Sequence, residues 1–223
     1  MKVLYEDNHI IVVEKTPNIP SQSDKTGDED MLTLVKEYIK EKYNKPGNVY
    51  LGLVHRLDRP VGGVMVFART SKAASRLSEQ VRQKIFKKKY LAVVDGKVKN
   101  KKGTLEDYLY KDERNNISKV VSKEKKNSKL AKLDYEVLTY NEVKDLSLLE
   151  INLHTGRHHQ IRVQLSNFGH SIFGDQKYGT RGKGKQIALW AYELTIEHPI
   201  TKEKMVFKDL PEPVGTWCIL KNF

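Results

Sequence analysis

Leu53-Val-His-Arg-Leu-Asp-Arg-Pro-Val-Gly-Gly-Val-Met-Val-Phe-Ala-Arg-Thr70 is the stretch from which the rest of the chain is read. A polar knot of His55, Arg56, Asp58 and Arg59 runs into Pro60 and two glycines. The apolar run Val64 to Ala68 follows. A run of that length, rich in Val, Met and Phe and bounded by turn residues, predicts a buried strand. Gly62 and Gly63 allow a tight turn or a close approach of backbone to another group. Asp58 is therefore expected on a loop ahead of a core strand, a position where rigid structure presents a reactive group. The same residue could instead cap a turn or pair with Arg56 or Arg59, and local pattern leaves both readings open.

Outward from this stretch, the chain alternates strands with helices. Val3 to Tyr5 and His9 to Val13 read as strands around an Asp7-Asn8 turn, and Pro17 and Pro20 restrict the loop that follows. Met31, Leu34, Val35, Tyr38 and Ile39 recur at helical spacing over 31–43, with Asp28 and Glu29 before them and Pro46-Gly47 after. A second helix is predicted from a cap at Ser71 to about Ile85, inward at Ala74, Leu77, Ser78 and Val81. Tyr90 to Val94, 132–138, 145–153, 187–191, 192–197 and 204–207 read as strands, and 111–129 as a solvated excursion or hairpin. Thr155 is expected to cap a helix starting near Arg157, placing His158 and Arg162 on one face.

The 223 residues hold 40 Lys plus Arg against 28 Asp plus Glu, a net charge of +12 that points to a polyanionic partner, nucleic acid or an anionic surface. Hydrophobic content of 39% describes an ordinary globular chain rather than a disordered one. The single cysteine, Cys218, makes no internal disulfide and is expected as a small core residue. No apolar run approaches membrane-spanning length and the amino terminus lacks a secretory leader, so a cytoplasmic location is expected.

Three histidines, His154, His158 and His159, crowd one junction, but a structural zinc site needs four convergent ligands and no H-E-x-x-H pattern is present, so no metal is expected. Walker, dinucleotide and serine-elbow patterns are also missing.

His55-Arg-Leu-Asp58 with its glycine turn and strand resembles the signature of the large pseudouridine synthase family acting on ribosomal and transfer RNA uridines. Lys15-Thr-Pro-Asn18 resembles that family's early Lys-Pro loop. Lys89-Tyr-Leu-Ala92 resembles the segment with its active-site tyrosine. Thr155 to Val163, Gly169-His, Gly174 to Gly179 and Glu197-His-Pro199 resemble its later motifs. Departures occur at Pro60-Val-Gly-Gly63, at His158 and at Trp190.

The resemblance implies an α/β (α+β) fold, one catalytic domain over 1–223, with a long mixed, mainly antiparallel sheet in two lobes around a central cleft. It implies a form without the amino-terminal RNA-binding domain that many members carry, with no cofactor, a monomeric state and RNA as partner. It assigns catalysis to Asp58, Tyr90 and Arg162, with Arg162 pairing the aspartate so that the carboxylate stays ionised. The residues expected to bind RNA are His55, Arg56, Arg59, Arg157, His158, Lys125 and Lys126. Two rivals stand beside this reading: a two-carboxylate hydrolase, and a non-catalytic RNA-binding or ribosome-assembly protein that keeps the fold.

Overall fold

The computed structural model describes residues 1–222 and falls into two compact units, Met1–Lys87 with Ala191–Leu210, and Lys88–Trp190 with the residues from Pro211 onward. The architecture is mixed α/β with mostly antiparallel pairing.

In the first unit the strands are β1 (Val3–Glu6), β2 (Ile10–Lys15), β3 (Gly52–Leu53) and β4 (Gly62–Ala68), joined by helices α1 (Met31–Lys42) and α2 (Ser71–Arg82). β1 pairs β2, β2 pairs β4 and β3 pairs β4, all antiparallel, in registers that place Val12 opposite Val66 and Lys15 opposite Gly63. All seven residues of β4 are buried, as the apolar run requires. On one face Ile10, Val12, Val64, Val66 and Ala68 pack with Ala73 and Leu77 of α2 and with Phe86. The alternate residues Ile11, Val13, Met65 and Phe67 are fully buried too, so both faces of this ribbon are covered. Each such aliphatic side chain contributes roughly 1.5–3 kcal/mol of burial.

Helix α1 starts at Met31 as the spacing predicts, and the start of α2 differs from expectation by one residue. Asp30, rather than Asp28 or Glu29, caps α1, accepting from the Leu32 and Thr33 amides. Thr70, rather than Ser71, caps α2 through the Ala73 amide. Each has extended backbone, the conformation in which a short oxygen-bearing side chain reaches back to the first turn.

The second unit is built on β5 (Lys87–Asp95), β6 (Lys102–Asp112), β7 (Ile117–Val121), β8 (Lys129–Asn141) and β9 (Leu146–Leu153). The order is β5-β9-β8-β6-β7, and all four pairings are antiparallel. The excursion at 111–129 covers the turn after β6, strand β7 and the loop after it, while β6 itself is a strand that the sequence reading did not include. The strand predictions at 187–191 and 192–197 merge into one element, β10 (Leu189–Glu197), which pairs β11 (Lys204–Lys208).

Helix α3 (Gln160–Asn167) begins three residues later than expected. Its N-cap is His159 in a left-handed conformation (φ 52°), with no side-chain cap, and Thr155 instead bonds Gln160 Oε1 at 2.7 Å. His158 therefore lies outside the helix and does not share a helical face with Arg162. Cys218 is half-buried in the 3₁₀ helix Gly215–Asn222, donating to the Pro213 carbonyl at 3.2 Å, rather than a core residue.

Candidate active site

Asp58 sits half-buried in the loop between β3 and β4, in the first unit. Its carbonyl accepts from the Val61 amide at 2.9 Å, closing the turn at Pro60. What holds this loop is a residue to which sequence reading gave no role of its own. Lys15 ends β2 with no exposed surface, and its Nζ donates to the carbonyls of Thr16 (3.2 Å), Arg59 (2.9 Å) and Val61 (2.6 Å). Arg59 and Val61 closely follow Asp58, so one ammonium ties the carboxyl-terminal side of the Asp58 turn to the end of β2. Burial pushes the Lys15 pKa down to about 7, with the charge of Asp58 opposing the fall and that of Arg59 adding to it. The Lys-Pro resemblance pointed to this position but carried no geometry.

Neighbouring side chains brace the same loop. His55 Nε2 accepts from the Val66 amide at 3.1 Å, and its ring meets Phe86 edge-on at 5.1 Å. A ring nitrogen that accepts from an amide carries no proton, so this face of His55 serves the β3–β4 junction. Ser21 Oγ exchanges hydrogen bonds with the backbone of Leu57. The Arg59 guanidinium ties down the segment after β2, donating to the Asn18 carbonyl (3.1 Å), Thr26 Oγ1 (3.2 Å) and Asp28 (2.5 Å). Arg56 is exposed and makes no hydrogen bond or ion pair among the described residues. Gly63 has φ 121°, and a Cβ there would lie 2.2 Å from the Ala191 carbonyl oxygen of β10. The close approach anticipated for the glycine pair is thus a strand–strand contact beside the aspartate loop.

Tyr90 and Arg162 belong to the second unit. Tyr90 is buried in β5 opposite Ile151. Arg162, on α3, grips Asp175 bidentately, with Nε to Oδ2 and Nη2 to Oδ1 both 2.7 Å, and both side chains are almost fully buried. Asp175 Oδ1 also accepts the amides of Lys177 and Tyr178. Burial pushes the Asp175 carboxyl up, but Arg162 and those amides outweigh it and hold the group below its usual range. The guanidinium lies 5.2 Å from the centre of the Tyr178 ring. A fork held along its Nε/Nη2 edge by one carboxylate has its orientation set before any substrate arrives.

Tyr178 organises the histidines. Its hydroxyl accepts from the Ser118 amide (2.8 Å) and lies 2.8 Å from His159 Nδ1, within hydrogen-bonding distance of both. His159 is neutral. Burial drives its pKa far down, and the positive charges of Arg162, His158 and Lys177 reinforce this. His158 stacks on His159 at 3.7 Å and bonds Ser118 Oγ through Nδ1 at 2.9 Å. Gln160 and Gln164, both buried, run below them to Lys132 and Asp107, linking α3 to the sheet. The structure thus brings His158 and Arg162 into one network through Ser118, Tyr178 and Asp175, partners that no local pattern revealed.

The remaining expected RNA-binding residues are on the surface. Arg157 is exposed, with Nε on the Leu130 carbonyl at 2.9 Å. Lys125 and Lys126 lie in the exposed loop after β7, and Lys125 Nζ is 5.3 Å from the Tyr110 ring. No cluster of three or more His, Cys, Asp or Glu side chains suited to a metal ion occurs among the described residues. No helix among them is long and apolar enough to cross a membrane.

Residues 9–167 match the family model described as RNA pseudouridylate synthase. The chain is 34% identical over 225 residues to the RNA pseudouridine synthase YhcT of Bacillus subtilis, covering all of this chain and 72% of that protein. It is 35% identical over 182 residues to the ribosomal large subunit pseudouridine synthase C of Buchnera aphidicola, covering 80% of this chain and 54% of that one. Among solved structures, human RNA pseudouridylate synthase domain containing 4 superposes with a TM-score of 0.78 at 22% identity, covering 95% of this chain and 89% of that chain. That likeness is one of fold. The fold and the matched sequence together define an RNA-modifying isomerase. The chain belongs to the RNA pseudouridylate synthase family.

Proposed function

We propose that this protein converts one or a few uridines of ribosomal or transfer RNA to pseudouridine, with Asp58 as the nucleophile. The observation that carries the assignment to Asp58 is the Lys15 clamp: a fully buried ammonium donates to the Arg59 and Val61 carbonyls of the loop that presents this carboxylate, and its third hydrogen bond goes to Thr16. Such an arrangement is expected where a loop must hold reactive geometry. Large-subunit ribosomal RNA is the first substrate to try, from the name of the Buchnera relative.

The reaction breaks the bond between uracil nitrogen and ribose carbon, turns the base and rejoins it through C5, which then loses its proton. An ionised carboxylate supplies the nucleophile, and no redox step is needed. Tyr90 offers a ring to pack against the base and a hydroxyl for hydrogen bonding or proton transfer. Arg162, set in place by Asp175, favours the ionised aspartate and the charge that develops in the reaction. The target base must leave its stack, and Arg56, exposed and two residues before Asp58, fills the vacated space in this reading. Lys125, Lys126 and Arg157, within a chain of charge +12, serve the phosphate backbone. The whole chain acts as one monomeric catalytic domain in the cytoplasm.

The test is site-resolved pseudouridine mapping of unmodified ribosomal and transfer RNAs after incubation with wild-type protein and with Asp58→Asn, without added metal or nucleotide. Wild type is expected to convert discrete uridines, and Asp58→Asn to convert none while remaining folded and binding RNA. Unchanged RNA after incubation with folded, RNA-binding wild type would favour the assembly-factor rival, and free uracil would favour the hydrolase.

A further inference from the structure

Three consecutive lysines open β5, and the pleat sends them to different surroundings. Lys87 is exposed. Lys89 turns to one face of the sheet, where Nζ meets Glu150 Oε1 at 3.0 Å. Lys88 turns to the other face, the one that carries Tyr90. It is only partly exposed, and it makes no hydrogen bond or ion pair among the described residues.

The surroundings of its ammonium are specific. A Cβ added to Gly156 would stand 3.4 Å from Lys88 Nζ. Gly156 does not have a positive φ, so its backbone conformation is open to any residue. What glycine supplies is bare, exposed backbone beside the charge. Crowding an ammonium without giving it an acceptor is unfavourable, and burial lowers the Lys88 pKa accordingly. A methionine would fill the same stem volume without that penalty. A charge kept in such a place, with the covering side chain removed, is arranged for an anion arriving from outside.

We propose that Lys88 is an RNA-phosphate binding residue, its ammonium taking a phosphate oxygen over the bare backbone of Gly156, at the nucleotide whose base meets Tyr90. Lys88 and Tyr90 are two residues apart on one strand face, about 7 Å, a distance that one nucleotide spans from phosphate to base. The proposal rests on the reading of Tyr90 as the residue that meets the uracil.

The experiment measures binding of an unmodified large-subunit ribosomal RNA transcript across a salt titration, using wild type, Lys88→Met, Lys88→Gln and Lys88→Arg, with single-turnover conversion alongside. Both neutral variants should lose about tenfold in affinity, and the slope of log affinity against log salt should shrink by about 0.7–0.9, the loss of one phosphate contact. Lys88→Arg should restore the slope. The saturated conversion rate should stay within about twofold, the defect falling on KM rather than kcat, as for a group that binds equally in ground and transition states. Unchanged affinity in the neutral variants overturns the proposal. So does lost affinity with an unchanged slope, which would mark Lys88 as packing. Should one neutral variant misfold, the other decides. Wild type that binds the transcript but converts nothing defeats the catalytic reading while the slope still reports on Lys88.

Discussion

Replacing Lys15 with methionine tests how the Asp58 loop is held. The substitution keeps the stem volume and removes an ammonium with three carbonyl partners. Two terms oppose each other. Lowering the pKa from 10.5 to about 7 by burial corresponds, at about 1.4 kcal/mol per pH unit, to a penalty of about 5 kcal/mol for keeping the group charged. Hydrogen bonds from a charged donor return about 1.5–3 kcal/mol each, and a buried carbonyl left bare costs about 1–3 kcal/mol. At pH 7 the variant should therefore be less stable by about 2–4 kcal/mol, the penalty offsetting part of what three lost bonds would remove.

The sign of the pH dependence follows from linkage. Between about 7 and 10.5 the unfolded chain holds the Lys15 proton and the folded protein does not. Wild-type stability due to this residue therefore rises with pH through that window, while the methionine has nothing to titrate. The stability difference between the two proteins should widen from pH 7 to pH 10. Urea unfolding at pH 6 to 10 measures it. Single-turnover pseudouridine formation at pH 7 should fall about 10²-fold in the variant, since a loop displaced by an ångström loses productive geometry. A variant as stable and active as wild type, or a difference that shrinks with rising pH, would refute the clamp.

Asp175→Asn removes the anionic half of a pair in which both side chains are almost fully buried, and should destabilise by about 3–5 kcal/mol at pH 7, the cost of breaking a buried ion pair by removing one partner. Because the Asp175 pKa is held below its usual 3.8, that margin is present above pH 3.8 and lost as pH falls through the folded value; urea melts at pH 7 and pH 3 should show the variant's deficit narrowing in acid. Gly63→Ala combines φ 121° with a Cβ 2.2 Å from the Ala191 carbonyl oxygen, and should destabilise by more than about 2 kcal/mol in thermal melts. Gly27→Ala, with φ 73° but open space around it, should cost only about 1 kcal/mol, and equal effects at the two sites would remove the strand contact from the explanation.

Sequence by itself determined the strand at 64–68, the helices on 31–43 and after Ser71, and the loop that displays Asp58. These depend on alternation, helical spacing and turn residues, all local properties of the chain. The ordered motifs also determined the family. Tertiary structure decided which groups satisfy the buried charges. Arg162 takes Asp175, thirteen positions on, and Lys15 takes carbonyls at 59 and 61, because folding closes those loops onto them. Neither Tyr178, shared between the Ser118 amide and His159, nor the bare backbone of Gly156 beside Lys88 has a periodic signature. Two helix starts also shifted, to caps at Thr70 and His159, because a cap is chosen by backbone conformation among several eligible neighbours. A buried charge must find its partner wherever the fold brings one, and that distance along the chain is set by topology rather than by any repeat in the sequence.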